Sequence, residues 1–173
     1  IAQGQSWFAP RDVERIATTS TPAAVAAQQV SRLATTLAAG MLAVVVADSG
    51  YAKVAFLTVF IGLAQVCVLV RLAHNRVFYG APPPPIRDPL TGKRPHRGRP
   101  PVHGAKFRLK DPPPPEHQAT FALGTTQVRA SAWDQLHFRR LPKFVGQVLR
   151  IEFLNPDGQP RYHRPLWLFW SGP

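Results

Sequence analysis

Asp48 is the residue whose setting points most directly to chemistry. It closes an apolar run, Leu42-Ala43-Val44-Val45-Val46-Ala47, and is followed by Ser49-Gly50-Tyr51. A carboxylate at the C-terminal end of an internal strand stands where open α/β sheets gather ligands. Three roles are open to it: oxygen ligand of a divalent cation, general base, or cap of the following helix, the last shared with Ser49. Asp12 and Glu14 precede the first helix without a strand, and Glu152 lies among short strands, so none of them matches that setting. Cys67 falls inside an apolar run and reads as a small core residue rather than a nucleophile. As the single cysteine it also excludes an internal disulfide and any zinc site built on two cysteines. His96 and His103 lack partners at metal-ligand spacing and read as surface residues.

The second source of chemistry is charge. The 173 residues carry 21 Lys+Arg against 9 Asp+Glu, a net charge of +12. Residues 1–70 hold four basic and three acidic side chains; residues 71–173 hold seventeen and six, with all six histidines and 17 of the 19 prolines. A one-sided field of this kind concentrates polyanions, and nucleic acid fits it better than a merely solvated surface does. An acidic membrane fits less well, because no basic amphipathic helix accompanies the charge. Arg87, Lys93, Arg94, Arg97, Arg99, Lys106, Arg108 and Lys110 fall between two four-proline runs, 82–85 and 112–115, with only Asp88 against them over 87–110. Proline and glycine keep such a backbone extended, and arginine supplies paired donors for phosphate. Further along, Arg139 and Arg140, with Arg129, Lys143 and Arg150, fall on the polar face of the strands expected there. Trp133, Trp167 and Trp170 can stack on bases, but in a small sheet they read first as core.

The elements that position these groups follow from periodicity. Thr21-Pro22 is a helix start, Val25, Val30, Leu33 and Leu37 recur at helical spacing, and Gly40 is a stop, which predicts a helix over 22–39. Residues 42–47 and 66–70 predict strands buried on both faces, with a helix over 52–63 between them: a βαβ unit with a right-handed crossover. The uncharged stretch 54–70 is at the short limit of a membrane span. Gly62 and Gln65 interrupt it, no cleavable leader precedes it, and it reads as soluble core. Residues 1–20 show no period. Short strands are expected at 107–110, 120–123, 127–130, 135–139, 147–153 and 166–170. Asn155-Pro156-Asp157-Gly158 predicts a turn closing a hairpin between 147–153 and 161–170.

Several stretches together resemble bacterial insertion-sequence transposases of the DDE type. They are Val44-Val45-Val46-Ala47-Asp48-Ser49-Gly50-Tyr51, Val70-Arg71-Leu72-Ala73-His74-Asn75-Arg76-Val77-Phe78-Tyr79, Arg97-Gly98-Arg99-Pro100-Pro101-Val102-His103-Gly104, Trp133-Asp134-Gln135-Leu136-His137-Phe138-Arg139 and Arg164-Pro165-Leu166-Trp167-Leu168-Phe169-Trp170-Ser171-Gly172. The resemblance implies an α/β fold: a partial RNase H-like βαβ core over 1–79, a Pro/Arg-rich basic arm over 80–115, an antiparallel β insertion over 116–165, and a strand at 166–173 returning to the core. It implies three carboxylates holding two divalent ions, Mg²⁺ or Mn²⁺, that cut a phosphodiester and then activate the freed 3′ hydroxyl for joining.

Only Asp48 carries over, as catalytic residue and metal ligand. The first aspartate is expected upstream of Ile1 and the glutamate downstream of Pro173. The chain alone is therefore expected to lack nuclease activity and a stably bound metal, and its sheet to be incomplete, with exposed edges. The implied partners are transposon-end and target DNA in the bacterial cytoplasm, at the nucleoid. Neither a membrane nor a small-molecule substrate is expected, and the intact enzyme can be oligomeric. Two rival readings remain: a free-standing basic nucleic-acid-binding module without catalysis, and a membrane-associated protein anchored by 54–70.

Overall fold

The computed structural model describes residues 12–84 and 99–173. The first helix, α1 (Pro22–Ala34), starts as its sequence dictates: the Thr21 hydroxyl accepts the Ala24 N–H at 3.2 Å, with Pro22 in the first turn. It stops well short of residue 39. Thr35 and Thr36 donate their hydroxyls back to the Arg32 and Leu33 carbonyls, at 2.7 and 2.8 Å. Such local side-chain bonds compete with further helical turns, so the chain leaves the helix before Gly40.

Strands β1 (Ala43–Ala47) and β2 (Val66–Arg71) pair in parallel, Ala43 opposite Val66 through Ala47 opposite Val70. The connection between them is less helical than expected, a single turn α2 (Val54–Leu57) continued by a 3-10 turn, Thr58–Phe60. Phe56, Leu57 and Phe60 pin this crossover into the core. β2 is buried almost throughout, as expected. β1 is not: Val44 is 47% and Val46 72% exposed. The cause is position, since β1 ends the sheet and packs only Ala43, Val45 and Ala47 against the core.

The remaining strands are β3 (Val77–Tyr79), β4 (Lys106–Arg108), β5 (His117–Leu123), β6 (Thr126–Phe138), β7 (Leu141–Leu154) and β8 (Leu166–Trp170). One sheet runs in the order β1-β2-β8-β7-β6-β3-β4, with β5 on the first half of β6. β8 lies antiparallel between β2 and β7. The antiparallel strands thus continue the sheet of the parallel pair instead of forming a small one of their own.

The strands expected separately at 127–130 and 135–139 are one strand, β6. An irregularity between Trp133 and Leu136, with Gln135 at φ +54°, breaks its alternation without ending it. The 155–158 turn closes as predicted, the Gly158 N–H reaching the Asn155 carbonyl at 2.9 Å, and β7 and β8 form the expected hairpin.

Aromatic side chains fill the inner face. Trp133 and Trp167 are 2% and 4% exposed with ring centroids 5.6 Å apart, and Phe78, Phe138, Phe144 and Phe169 form a second cluster beside them. The indole N–H of Trp133 donates to the Pro113 and Pro114 carbonyls at 3.0 and 3.1 Å, so the second proline run is docked on the core. Trp133 and Trp167 are core residues, while Trp170 is half-buried. Cys67 is buried. No helix among the described residues is long and apolar enough to cross a membrane; 54–70 is divided between α2, the 3-10 turn and β2.

Candidate functional site

Asp48 follows the last residue of β1 and is exposed. Its Oδ1 accepts the Gly50 N–H at 2.8 Å, and its backbone carbonyl accepts the Tyr51 N–H at 3.1 Å. The carboxylate therefore shapes its own turn and does not cap α2, whose N-cap is Lys53 with no side-chain hydrogen bond. The Asp48 turn borders an apolar-walled groove of about 560 Å³ between α1 and β1, lined also by Gln29, Tyr51 and Phe56. Since β1 and β2 are parallel, Asp48 stands at the carboxyl end of the pair, where α/β sheets present functional groups. The expectation of an internal strand is corrected: among the described residues β1 is the border strand.

The other carboxylates lie elsewhere. Asp12 and Glu14 are committed to Arg32, at 2.6 and 2.7 Å. Glu152 is in β7, three strand spacings from β1, or about 14 Å along the sheet. It pairs with Arg150 at 3.3 Å and approaches Arg129 at 3.9 Å.

Sequence reasoning missed a cluster of Glu116, His117 and Asp134, whose ligand atoms lie within 4.8 Å of one another. Internal bonds join its members, while Asp134 Oδ1 is buried without a partner among the described residues. Glu116 accepts the Asp134 N–H at 3.2 Å and His117 Nε2 meets Asp134 Oδ2 at 3.1 Å. On β5 and β6 it stands about 19 Å along the sheet from the Asp48 strand, too far to share an ion.

The expected DNA-contacting cations divide into groups. Arg87, Lys93, Arg94 and Arg97 lie outside the described residues. Arg99, Lys106, Arg108 and Lys110 are exposed; Phe107 and Leu109 between them turn inward at 5% and 3% exposure, so the last three form a basic row along the β4 border. Arg139 and Arg140 are exposed at the tip of the β6–β7 hairpin, and Lys143 is exposed just beyond it. Arg129 and Arg150 do not join them. Arg129 donates to the Gly158 carbonyl at 3.2 Å, and Arg150 lies 5.9 Å over the Trp133 ring while paired with Glu152.

His103 is not the unpartnered surface residue that its sequence spacing suggested. Its Nδ1 lies 2.9 Å from Nε2 of His137, which is 2% exposed, and its ring packs 4.8 Å from that of Tyr79. Burial, and then the charge on His103, lowers the His137 pKa. The two histidines are 34 residues apart, so no local spacing could have revealed the pair.

A parallel strand pair continued by antiparallel strands, with an aspartate at the carboxyl end of the first, is the arrangement of an RNase H-like α/β domain. A family model described as DDE superfamily endonuclease matches residues 3–139, and the chain belongs to that family. No curated protein matches the chain. The matched span ends at the hairpin tip, and β7 and β8 beyond it complete the same sheet.

Enzymes of this superfamily use divalent metals, which prefer hard oxygen donors. Asp48 is such a donor, with Oδ2 free of partners among the described residues. The described residues bring no second carboxylate to it, and the one metal-competent cluster among them is the distant Glu116 group. By themselves they do not fit a two-metal centre, which needs several shared carboxylates.

Proposed function

We propose that this chain is the central part of the DNA transposase of a bacterial insertion sequence, supplying through Asp48 one carboxylate of a centre that cuts and rejoins DNA. The observation that carries this reading is the exposed Asp48 at the carboxyl end of the parallel pair, within the span that matches DDE endonucleases. The companion carboxylates come from outside the described residues, and Mg²⁺ or Mn²⁺ is held only when they are present. The basic residues serve the substrate: Arg99, Lys106, Arg108 and Lys110 on the β4 border, Arg139 and Arg140 at the hairpin tip, and Arg87, Lys93, Arg94 and Arg97 in the connecting arm grip transposon-end and target DNA. Residues 80–165 act as the DNA-holding insertion, with 166–173 returning to the core. The site of action is the bacterial nucleoid, and the assembled enzyme can be an oligomer.

A supercoiled-plasmid nicking assay tests the reading. The 173-residue chain alone with Mg²⁺ or Mn²⁺ is expected to leave the plasmid intact while binding it in a salt-dependent manner. Metal-dependent nicking that disappears in Asp48→Ala would refute the claim that the chain is inactive alone and place a complete centre within it. A second reading, a basic nucleic-acid-binding module with no catalytic role, is favoured by the lack of a second carboxylate beside Asp48 among the described residues. Supplying the rest of a DDE domain in trans separates the two: restored cleavage that depends on Asp48 supports the transposase, and its failure supports the module.

A further inference from the structure

A second groove, of about 700 Å³, lies on the other side of the segment that follows Asp48. Tyr51 and Phe56 line the Asp48 groove, while Ala52, Lys53 and Val54 line this one, so a single turn of chain walls both. Its other walls are Ala73, Asn75, Arg76 and Val77, beyond the carboxyl end of β2, and Phe138, Arg139 and Arg140 at the β6–β7 tip. Three distant parts of the sequence thereby bring Lys53, Arg76, Arg139 and Arg140 around one cleft, and no carboxylate lines it among the described residues.

The cleft has a fixed frame. Arg76 donates to the Ala52 carbonyl at 2.8 Å, tying the β2–β3 connection to the Asp48 segment. Phe78 and Phe138 pack 4.7 Å apart beneath it, and Phe144 stacks on Phe60 at 6.4 Å, holding the hairpin tip against the crossover. None of the four cations forms an ion pair among the described residues. Uncompensated cations crowded in a concave site repel one another, and an anion placed among them relieves that repulsion. Guanidinium groups suit the paired oxygens of a phosphate in particular.

We infer that the Lys53–Arg76–Arg139–Arg140 cleft seats the phosphodiester backbone of DNA directly alongside the stretch presented to Asp48. The inference rests on the transposase reading and adds to it a location: the hairpin tip and the Asp48 turn grip one continuous strand, separately from the basic row on β4. Lys53, which lies in no quoted motif, and Arg76 become DNA-positioning residues beside Arg139 and Arg140.

The test measures duplex DNA affinity of the full chain by fluorescence anisotropy across a range of salt concentrations. Each lost phosphate contact should lower the slope of log affinity against log salt by roughly 0.9. Arg139→Ala/Arg140→Ala should therefore lower it by roughly two contacts' worth, Lys53→Ala by about one, and Arg139→Lys/Arg140→Lys should retain it. Arg161→Ala/Arg164→Ala removes the same charge from the β7–β8 connection and should leave the slope near that of the parent. Thermal unfolding confirms that each variant is folded; the exposed positions of Lys53, Arg139 and Arg140 make that the expected result.

If the parent binds DNA and Lys53→Ala keeps the parent slope, the cleft is not a backbone seat, and the broader reading stands without it. An equal loss in the Arg161/Arg164 variant would show that total charge and not location matters, and would also overturn the inference. A parent with no salt-dependent DNA binding would instead overturn the transposase reading itself.

Discussion

Replacing Asp48 by asparagine removes a charge yet leaves an oxygen to accept the Gly50 N–H, so the turn should survive. Being exposed, the position should change stability by less than about 0.5 kcal/mol; thermal unfolding of Asp48→Asn checks this, and a larger loss would make the carboxylate structural. His137 behaves differently because it is buried. Its pKa lies below the ordinary 6.5, first from burial and then from the charge on His103. On acidification the unfolded chain takes up a proton near 6.5 that the folded ring resists. The contribution of the neutral ring is thus complete above that pH, falls as pH drops through it, and levels off below the lowered folded value. The melting temperature should fall between about pH 7.5 and pH 5.5, and His137→Gln should flatten that dependence; an unchanged slope in the variant would assign it to other groups.

At the scale of elements, two backbone positions carry measurable strain or crowding. Gln135 holds φ +54° at the β6 irregularity, a conformation that costs a side-chain-bearing residue about 1–2 kcal/mol and glycine very little. Gln135→Gly should therefore stabilise the protein by roughly 1 kcal/mol in denaturant unfolding, the residue being exposed. Gly104 is the opposite case: a Cβ there would run into the Ala81 carbonyl, where the chain re-enters the sheet beside Gly80. Gly104→Ala should cost about 1–3 kcal/mol and loosen His103 from His137.

These positions also show where the sequence is readable. β2 and β8 are unbroken apolar runs inside the sheet, and β1 is such a run at its border, so all three could be placed to within a residue or two. β6 could not, because Trp133-Asp134-Gln135 interrupts the alternation at the very point where the strand bends without ending. The place of Asp48 at a strand end was legible because an abrupt polar residue closes an apolar run. The grouping of Lys53 and Arg76 with Arg139 and Arg140 was not, because only the fold creates it.

On the scale of the whole molecule, the border at β1 opposes the charge of everything else. The outer edge of β1 is unpaired among the described residues, and Met41, Leu42, Val44 and Val46 are 55%, 50%, 47% and 72% exposed beside it. An open edge with an apolar face is a template for another strand, whether from the same protein or from a second copy. The net charge of +12 works against the second outcome, since two such molecules repel until salt screens them. Self-association should therefore rise with ionic strength, and Val46→Lys, which places a charge on the open face, should suppress it. The substitution should alter stability by no more than about 0.5 kcal/mol, because the side chain is mostly in water. Sedimentation velocity at low and high salt tests both parts: association that falls with salt would mean that charge, not the apolar border, drives it. The proposed DNA binding should show the reverse dependence, weakening as salt rises. The two measurements together separate the face proposed to bind DNA from the edge that is open to another strand.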